Sequence, residues 1–366
     1  MKIGILGAGQ LGRMLALSGI PLGHDFRFWD PVKDSPASAL GGQIEYEFND
    51  VSAVSDFARE LDVITYEFEN VPTALVEALS VHCPVYPPIE ALRDSQDRLL
   101  EKQLFTDLGH STARFANIET LHELKVQVNE FGLPCILKTR RMGYDGKGQV
   151  FIKTEADIHM AWNMLQPGLP LIIESFVAFE RELSIISVRS TTGETAFYPL
   201  FQNTHKGGIL RTSISPAPDI SPQLQQEAIE IARTVLERLN YVGVLAIELF
   251  EHNGELVINE MAPRVHNSGH GTIEGNVCSQ FENHIRAIAG LPLGSTSPAS
   301  TVNTTAMFNL IGDIPNIASI LGLPGVHLHL YGKSPRPGRK VGHVTLCSEN
   351  VTHFHDTSSS LSKLIH

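Results

Sequence analysis

Short apolar runs alternate along this chain with segments whose apolar residues recur every three to four positions. Lys2–Leu6 is such a run, Gly7-Ala8-Gly9-Gln10-Leu11-Gly12 turns into a helical pattern, and Phe26–Trp29 is a second run that stops at Asp30. Runs of this length predict buried strands, and a glycine turn between strand and helix predicts a βαβ opening. Asp62–Thr65 predicts another strand. Cys83–Pro88, interrupted by prolines that have no N–H to donate, predicts an edge strand closing a parallel α/β unit over residues 1–95.

From Asp97 the pattern is helical as far as the turn Phe131-Gly132-Leu133-Pro134. The apolar strand Cys135–Lys138 then enters the glycine-rich segment 143–148, and Gln149–Ile152 returns from it. A hairpin with a glycine-rich tip predicts a lid. Strands follow at Leu171–Ile173, Leu183–Val188 and Ala196–Leu200. Ser221 and Pro222 form a cap and a first-turn proline, and behind them Leu224, Ala228, Ile231, Val235 and Leu239 recur at helical spacing. Leu245–Phe250 and Leu256–Asn259 flank His252-Asn253-Gly254, whose Asn-Gly step predicts a tight hairpin of antiparallel neighbours. Past residue 290, short strands at Thr305–Leu310, Val326–Tyr331 and Val341–Leu346 predict a small β-rich C-terminal unit over 293–366. The final Thr-Ser-Ser-Ser stretch shows no period and predicts a loose tail, with Leu361, Leu364 and Ile365 able to dock as a short helix.

Composition narrows the class. With 366 residues, 42% hydrophobic and 19% charged, the chain has apolar material for two or three packed units, and its 30 Gly and 21 Pro supply the turns of a globular α/β protein. Cys83, Cys135, Cys278 and Cys347 are far apart and form no C-x-x-C pair, which argues against a zinc knuckle or disulfide framework and for a reducing, cytoplasmic setting. Residues 1–20 lack an export pattern and no run approaches the roughly 20 apolar residues of a membrane span, so neither export nor insertion is expected. A net charge of −12 argues against a nucleic-acid surface. The basic clusters Arg140, Arg141, Lys147 and Lys333, Arg336, Arg339, Lys340 point instead to small anionic ligands in pockets.

Two glycine segments and a carboxylate pair carry the candidate chemistry. Gly7, Gly9 and Gly12 match G-x-G-x-x-G, with Asp30 where a ribose-binding acid would sit. The motif fits a dinucleotide, a mononucleotide phosphate held on backbone amides at a helix N-terminus, or a structural βα turn. The second set is Lys138 at a strand end, the loop Gly143-Tyr144-Asp145-Gly146-Lys147-Gly148-Gln149, and Glu174 at the end of another strand. Lysine supplies a point charge for α/β-phosphates, loop amides can close over a γ-phosphate, and residues 174–177 can offer backbone groups to an adenine edge. Glu248 and Glu260 lie on opposite strands of the Asn253-Gly254 hairpin, with Asn259 beside the second. Carboxylates placed across from each other repel by a few kcal/mol unless a cation lies between them, and hard oxygen ligands suit Mg²⁺ carrying ATP phosphates. Glu248 also sits inside the apolar run Val244–Phe250, unlike a residue of a solvated acidic face.

Further segments extend this set: Thr65-Tyr66-Glu67-Phe68-Glu69-Asn70-Val71, Ser95-Gln96-Asp97-Arg98, Asn259-Glu260-Met261-Ala262-Pro263-Arg264-Val265-His266-Asn267-Ser268-Gly269-His270, and Tyr331-Gly332-Lys333 with Arg336-Pro337-Gly338-Arg339-Lys340. Through about residue 347 the chain resembles the 5-(carboxyamino)imidazole ribonucleotide synthases of the ATP-grasp superfamily, the last two segments being the specific ones. The resemblance implies an N-terminal parallel α/β (pre-ATP-grasp) domain at 1–95, a two-lobed ATP-grasp domain at 96–292 with its lid lobe at about 114–180, and a small β-rich C-terminal domain. It implies a carbon–nitrogen ligase of purine synthesis that uses ATP and bicarbonate to carboxylate 5-aminoimidazole ribonucleotide through carboxyphosphate, with Mg²⁺ as its metal and a homodimer as its assembly.

Carried over residue by residue, Arg98, Lys138, Gly143, Tyr144, Asp145, Gly146, Lys147, Gly148, Gln149, Glu174, Ser175, Phe176, Val177, Glu182, His205, Asn259 and Glu260 bind ATP, and Glu248 and Glu260 hold Mg²⁺. Gly9, Gln10 and Leu11 take the ribonucleotide phosphate with Lys333 and Arg339, Glu67 or Glu69 faces the ribose or the amine, and Asn267 and Ser268 contact substrate. Arg264 and His266 are placed for the γ-phosphate or the amine proton, and Tyr144 or Asp145 for orienting substrate; the choice among them stays open. One departure is Gly271, which follows His270 where the family usually has Trp and removes an aromatic wall. A formate-using transformylase or a glycinamide ribonucleotide synthetase shares the nucleotide set, a dehydrogenase shares only the first loop, and a non-catalytic nucleotide sensor would not need both metal carboxylates. His327 and His329 share one strand face with no third ligand in view and are read as surface or interface histidines, His353, His355 and His366 as solvated tail, and Cys135 as core.

Overall fold

Four short strands near the N-terminus, β1 (Lys2–Leu6), β2 (Asp25–Trp29), β3 (Gly42–Ile44) and β4 (Val63–Tyr66), pair in the order β3-β2-β1-β4, parallel throughout. The computed structural model describes residues 1–143, 146–165 and 170–365, without the side chain of Val351. Helices cover both faces of this sheet, which is why β1 reads as a continuous apolar run rather than an alternation. Cys83–Pro88 does not form the expected edge strand. Pro84, Pro87 and Pro88 offer no N–H, and the segment is left with one bridge, Ile64 to Val85.

A second sheet is antiparallel: β5 (Phe115–Ile118), β6 (Cys135–Thr139), β7 (Gln149–Ile152) and β8 (Leu171–Ser175), in the order β5-β8-β6-β7. Its helix Leu121–Phe131 starts at a capping box between Thr120 and Glu123. Cys135 is core, as expected, packed with Leu124, Val128, Leu137 and Ile173. The β6–β7 hairpin carries the glycine loop.

The third sheet holds β9 (Arg181–Arg189), β10 (Thr195–Phe197), β11 (Phe201–Lys206), β12 (Ile209–Ser215), β13 (Gly243–His252), β14 (Glu255–Ala262), β15 (Thr304–Ile311), β16 (Val326–Leu330) and β17 (Lys340–Ser348). The order is β14-β13-β9-β11-β12-β15-β17-β16, with β10 on β9, so the C-terminal strands extend the central sheet through the β12–β15 pairing. Ser221 caps the helix Pro222–Arg238, and Leu224, Ala228, Ile231, Val235 and the following Leu239 are buried, the face predicted for it. Asn253 (φ 53°) and Gly254 (φ 78°) take the left-handed backbone that the tight β13–β14 hairpin needs. The tail departs from expectation: Val351–Ile365 is one helix. Phe354, Thr357 and Leu361 make a buried stripe at helical spacing, leaving Ser359 and Ser360 on the outer side.

One core joins the first unit to the central sheet: Ile3, Ile5 and Leu15 pack with Ile186, Val244, Phe281 and Ile285. Each such side chain contributes about 1.5–3 kcal/mol on full burial. His284 pins the seam, with Nε2 2.8 Å from Thr65 Oγ1 and Nδ1 accepting the Val244 N–H at 3.1 Å. Asp97 ties the second sheet to the rest: it caps the helix Arg98–Asp107 by accepting from the Leu99 N–H (3.1 Å), and it accepts a bidentate pair from Arg140 (2.8 and 2.6 Å). Asp97→Ala removes the cap and leaves the Arg140 guanidinium without its carboxylate, so urea denaturation is expected to show a loss of about 3 kcal/mol. A loss below about 0.5 kcal/mol, the scale of an ordinary surface change, would show that this tether carries no stability.

Candidate active site

The helix Arg98–Asp107 presents Arg98, Glu101 and Lys102 on one side, at i, i+3 and i+4. β6 and β8 pair with Lys138 opposite Ile172, which makes Lys138 and Glu174 diagonal neighbours on one face. Lys138 Nζ donates to Glu174 Oε2 at 2.9 Å, and Lys102 Nζ lies 3.5 Å from the same oxygen. Burial alone would raise the Glu174 carboxyl, but Lys102 and Lys138 outweigh it and hold it at about 2. Glu174 Oε1 is buried with no partner among the described residues, an acceptor still to be satisfied. Lys102 also donates to Thr112 Oγ1 (3.0 Å) and the Asn259 carbonyl (3.1 Å), tying the helix to β14.

Ser175 is held to Arg114 through backbone and hydroxyl, Phe176 is exposed with its ring 6.4 Å from that of Phe151, and Val177 is half-buried. Glu182 and His205 pair across β9 and β11 at 2.7 Å; burial would lower His205, but the hydrogen bond and charge of Glu182 raise it. The glycine loop lies between Arg98 and the β11–β12 turn. A Cβ on Gly143 would stand 3.2 Å from Arg98 Nη2, and one on Gly146 would stand 3.2 Å from Gly208 Cα. Lys147 is exposed and Gln149 half-buried, while Tyr144 and Asp145 lie outside the described residues.

Glu248 and Glu260 are direct partners in the β13–β14 register, as the hairpin predicts. The register slips after Glu248, making Asn259 the extra residue of a bulge, and its side chain hydrogen-bonds Glu248. Burial would raise Glu248, but His266, His205 and Asn259 together bring it to about 2. Arg98 Nη2 stands 3.6 Å from Glu260. Among the described residues no group of three His, Cys, Asp or Glu forms a metal cage, so an ion between Glu248 and Glu260 would need further oxygen ligands from outside such a group.

His266 is fixed on every side. Its N–H donates to Gln280 Oε1 (2.9 Å), its carbonyl accepts from Gln280 Nε2 (2.6 Å), Nδ1 meets Ser268 Oγ at 2.9 Å and Nε2 meets Glu248 Oε1 at 3.2 Å. Ser268 is fully buried and also bonded to Ser184 Oγ (2.8 Å), and Asn267 exchanges two hydrogen bonds with Asn309 (3.0 and 2.7 Å). Ser268 thus supports His266 and Asn267 ties the turn to β15, with Asn267 itself only half-buried. Arg264 is paired with Glu69; burial would raise that carboxyl, and Arg264 brings it down to about 2. Gly271 leaves no gap, since a Cβ there would meet Thr305 Cγ2 at 3.0 Å, and His270 is walled by Phe281, Tyr331 and His343. His329 is half-buried and paired with Glu274 at 2.6 Å, a satisfied histidine.

At the N-terminal loop, Asp30 accepts the Ala8 N–H (2.8 Å) and Glu67 accepts those of Gly9 and Gly12. Gln10 and Leu11 supply the other first-turn amides, and Lys333 Nζ donates to Gln10 Oε1. Arg339 is half-buried, with Nη1 on the Ser334 carbonyl at 3.2 Å. Burial raises Glu67 against the pull of the Gly12 and Gly9 amides, and burial lowers Lys333. Sequence reasoning missed Lys102 and Glu101; their spacing from Arg98 was the available signal.

Glu101 is buried below Glu260. Burial pushes it up to about 8, with the Glu260 charge adding to the rise, while Oε1 accepts the Met261 N–H at 2.6 Å. Because its folded pKa lies above the ordinary 4.5, its contribution to stability is complete below pH 4.5 and is lost as pH rises through about 8. Glu69, Glu174 and Glu248 behave oppositely: their contribution is complete above 4.5 and is lost as pH falls towards 2. Glu101→Gln keeps the acceptor and removes the charge, so its urea midpoint relative to the parent should climb between pH 5 and pH 9. A constant difference would show that Glu101 carries no raised pKa.

The chain matches known families over three segments: the ribonucleotide synthetase preATP-grasp domain at 1–96, the ATP-grasp domain at 103–281, and the phosphoribosylaminoimidazole carboxylase C-terminal domain at 305–357. An N5-carboxyaminoimidazole ribonucleotide synthase of Pseudomonas aeruginosa is 50% identical over 353 residues, 96% of this chain and 96% of that protein. The crystal structure of the N5-carboxyaminoimidazole ribonucleotide synthetase of Thermus thermophilus superposes with a TM-score of 0.95 at 50% identity, covering 99% of this chain and 98% of that one. The synthase of Aspergillus clavatus, in complex with ADP and 5-aminoimidazole ribonucleotide, superposes at 0.90 with 30% identity over 99% and 98%. With likeness of this degree along the whole length, and the paired carboxylates and glycine loop in place, the chain belongs to the N5-carboxyaminoimidazole ribonucleotide synthase family.

Proposed function

We propose that this chain carboxylates the exocyclic amine of 5-aminoimidazole ribonucleotide using ATP and bicarbonate, and releases 5-(carboxyamino)imidazole ribonucleotide, ADP and phosphate. The observation that carries this is the Arg264–Glu69 pair, which brings the segment following Glu260 against the N-terminal unit with its glycine loop. A phosphoryl group held at Glu260 and an amine held at the loop thus meet near one guanidinium.

ATP fits the cleft between the second sheet and the third. The buried Glu174 Oε1 suits the amino group of an adenine, Lys138 and Arg98 offer positive charge to the phosphates, and the loop 143–149 supplies amides above them. Glu248 and Glu260, with the Asn259 amide beside them, suit Mg²⁺, which takes one or two carboxylates and otherwise phosphate and water oxygens. Such an ion would neutralise the triphosphate charge. Bicarbonate oxygen attacks the γ-phosphorus and ADP leaves, giving carboxyphosphate; the amine nitrogen then takes the carboxyl carbon and phosphate departs. Arg264 stabilises the charge that develops, and His266, held between Ser268 and Glu248, carries the amine proton. The Gln10 and Leu11 amides, Lys333 and Arg339 take the ribonucleotide phosphate. Tyr144 and Asp145 keep their proposed role in orienting substrate. Domain boundaries near 95 and 292 fall within or beside the gaps between the matched segments. A cytoplasmic homodimer is proposed from the family resemblance; no helix among the described residues is long and apolar enough to cross a membrane.

Arg264→Ala is expected to lower turnover by about 10²–10³, equivalent to ~2.7–4 kcal/mol of barrier, and to leave ATP affinity nearly unchanged. ADP release should require both bicarbonate and 5-aminoimidazole ribonucleotide when each is omitted in turn. Undiminished carboxylation by the variant would remove Arg264 from the chemistry, and ADP release driven by formate or glycine instead would overturn the assignment.

A further inference from the structure

The glycine cradle at the N-terminus is already filled by an anion of the chain itself. β1 and β4 run parallel with Leu6 beside Tyr66, so the residue after β4, Glu67, comes out next to Gly7. Its side chain is 8% exposed and turns under the loop, where Oε1 accepts the Gly9 N–H and Oε2 the Gly12 N–H at 2.6 Å. Two of the glycines are set by this carboxylate: a Cβ on Gly7 would collide with Glu67 Cγ and one on Gly9 would lie 2.6 Å from Oε1, whereas a Cβ on Gly12 would first meet the Gly7 carbonyl oxygen at 3.1 Å. In a dinucleotide fold the glycine at the place of Gly9 lets the backbone approach a pyrophosphate. Here the same room holds Glu67, and Asp30, the residue that would face a ribose, is spent on the Ala8 and Val32 amides (both 2.8 Å).

We infer that Glu67 acts as a built-in anion that turns a dinucleotide-type cradle into a monophosphate site. It draws the Gly9 and Gly12 amides inward, so the first turn presents its Gln10 and Leu11 amides to a ligand, beside the Lys333 ammonium on Gln10. One phosphate is held there. A second phosphate, as in a pyrophosphate or a dinucleotide, meets a carboxylate in the space it needs and is rejected. Glu67 is thus a positioning and specificity residue; the inference rests on the proposed binding of the ribonucleotide phosphate at this loop.

The test uses the full chain as Glu67→Ala and Glu67→Gln, with the ATP site filled by Mg²⁺ and a non-hydrolysable ATP analogue for binding measurements. Calorimetric titration with inorganic pyrophosphate should give binding to Glu67→Ala at least about tenfold tighter than to the parent, and an intermediate gain for Glu67→Gln. In turnover assays Glu67→Ala should raise the KM for the ribonucleotide by about tenfold or more with the KM for ATP unchanged. Added acetate, by reoccupying the cradle, should restore the ribonucleotide KM in Glu67→Ala but not in Glu67→Gln, whose amide still fills the space. A merely structural Glu67 would show neither acetate rescue nor stronger pyrophosphate binding, and that pair of results in variants with native circular dichroism would overturn the inference. Lys333→Ala separates the underlying reading: an unchanged ribonucleotide KM there would remove the phosphate from this loop, whatever the pyrophosphate titration shows.

Discussion

Glu248 and Glu260 face each other across β13 and β14, and the surrounding site is arranged around the cost of keeping two carboxylates that close. Each has a partner: Glu248 lies against the His266 ring with His205 nearby, and Glu260 lies against the Arg98 guanidinium. The carboxyl directly below, Glu101, is pushed up towards its neutral form, so a third negative charge is not added to the pair. The same logic recurs a few ångströms along, where Lys102 and Lys138 share Glu174. A cleft that must receive a triphosphate and bicarbonate, both anions, needs its positive charge held in place beforehand, and paired carboxylates hold it without bringing it into the core unneutralised.

That arrangement works only if the N-terminal unit is held rigidly against the central sheet. The shared core around Phe281 and Ile285 sets the distance, and His284 between Thr65 and Val244 sets the angle. Thr65 belongs to β4, and the next turns of that strand's exit supply Glu67 to the glycine loop and Glu69 to Arg264. One short segment therefore links the seam between units, the N-terminal glycine loop and the Arg264 guanidinium.

What was legible in the sequence was local. Asn253-Gly254 fixes a hairpin, a hairpin fixes a register, and the register makes Glu248 and Glu260 partners, each step following from residue order alone. Ser221 and the stripe from Leu224 to Leu239 specify a helix for the same reason. The tail failed because its Ser run hides a stripe of Phe354, Thr357 and Leu361, one of whose members is polar. Cys83–Pro88 failed because its apolar look competes with three prolines that cannot pair. The continuity of the sheet from β12 into β15 depends on chains nearly a hundred residues apart and leaves no local signal. Likewise the bond of Ser268 to Ser184 in β9, which ties the turn beside His266 to the central sheet, joins residues far apart in the chain and leaves no local signal.

The loop after β6, expected to act as a lid, is shaped by its glycines. Gly148 (φ 72°) sits where a Cβ would come 2.6 Å from Thr139 Oγ1, so the base of the loop is clamped to the end of β6. Further out, the place of a Cβ on Gly146 is 3.2 Å from Gly208 Cα, in the turn between β11 and β12. Two glycine turns from different sheets thus approach closely at the backbone, a seal between the described parts of the two loops. A carboxyphosphate exposed to water would be hydrolysed before an amine reached it, so on the proposed chemistry the closeness of that seal decides how much ATP ends in product. Both places take left-handed backbone (φ 75° at Gly146 and 77° at Gly208), so conformation and close approach together restrict them to glycine.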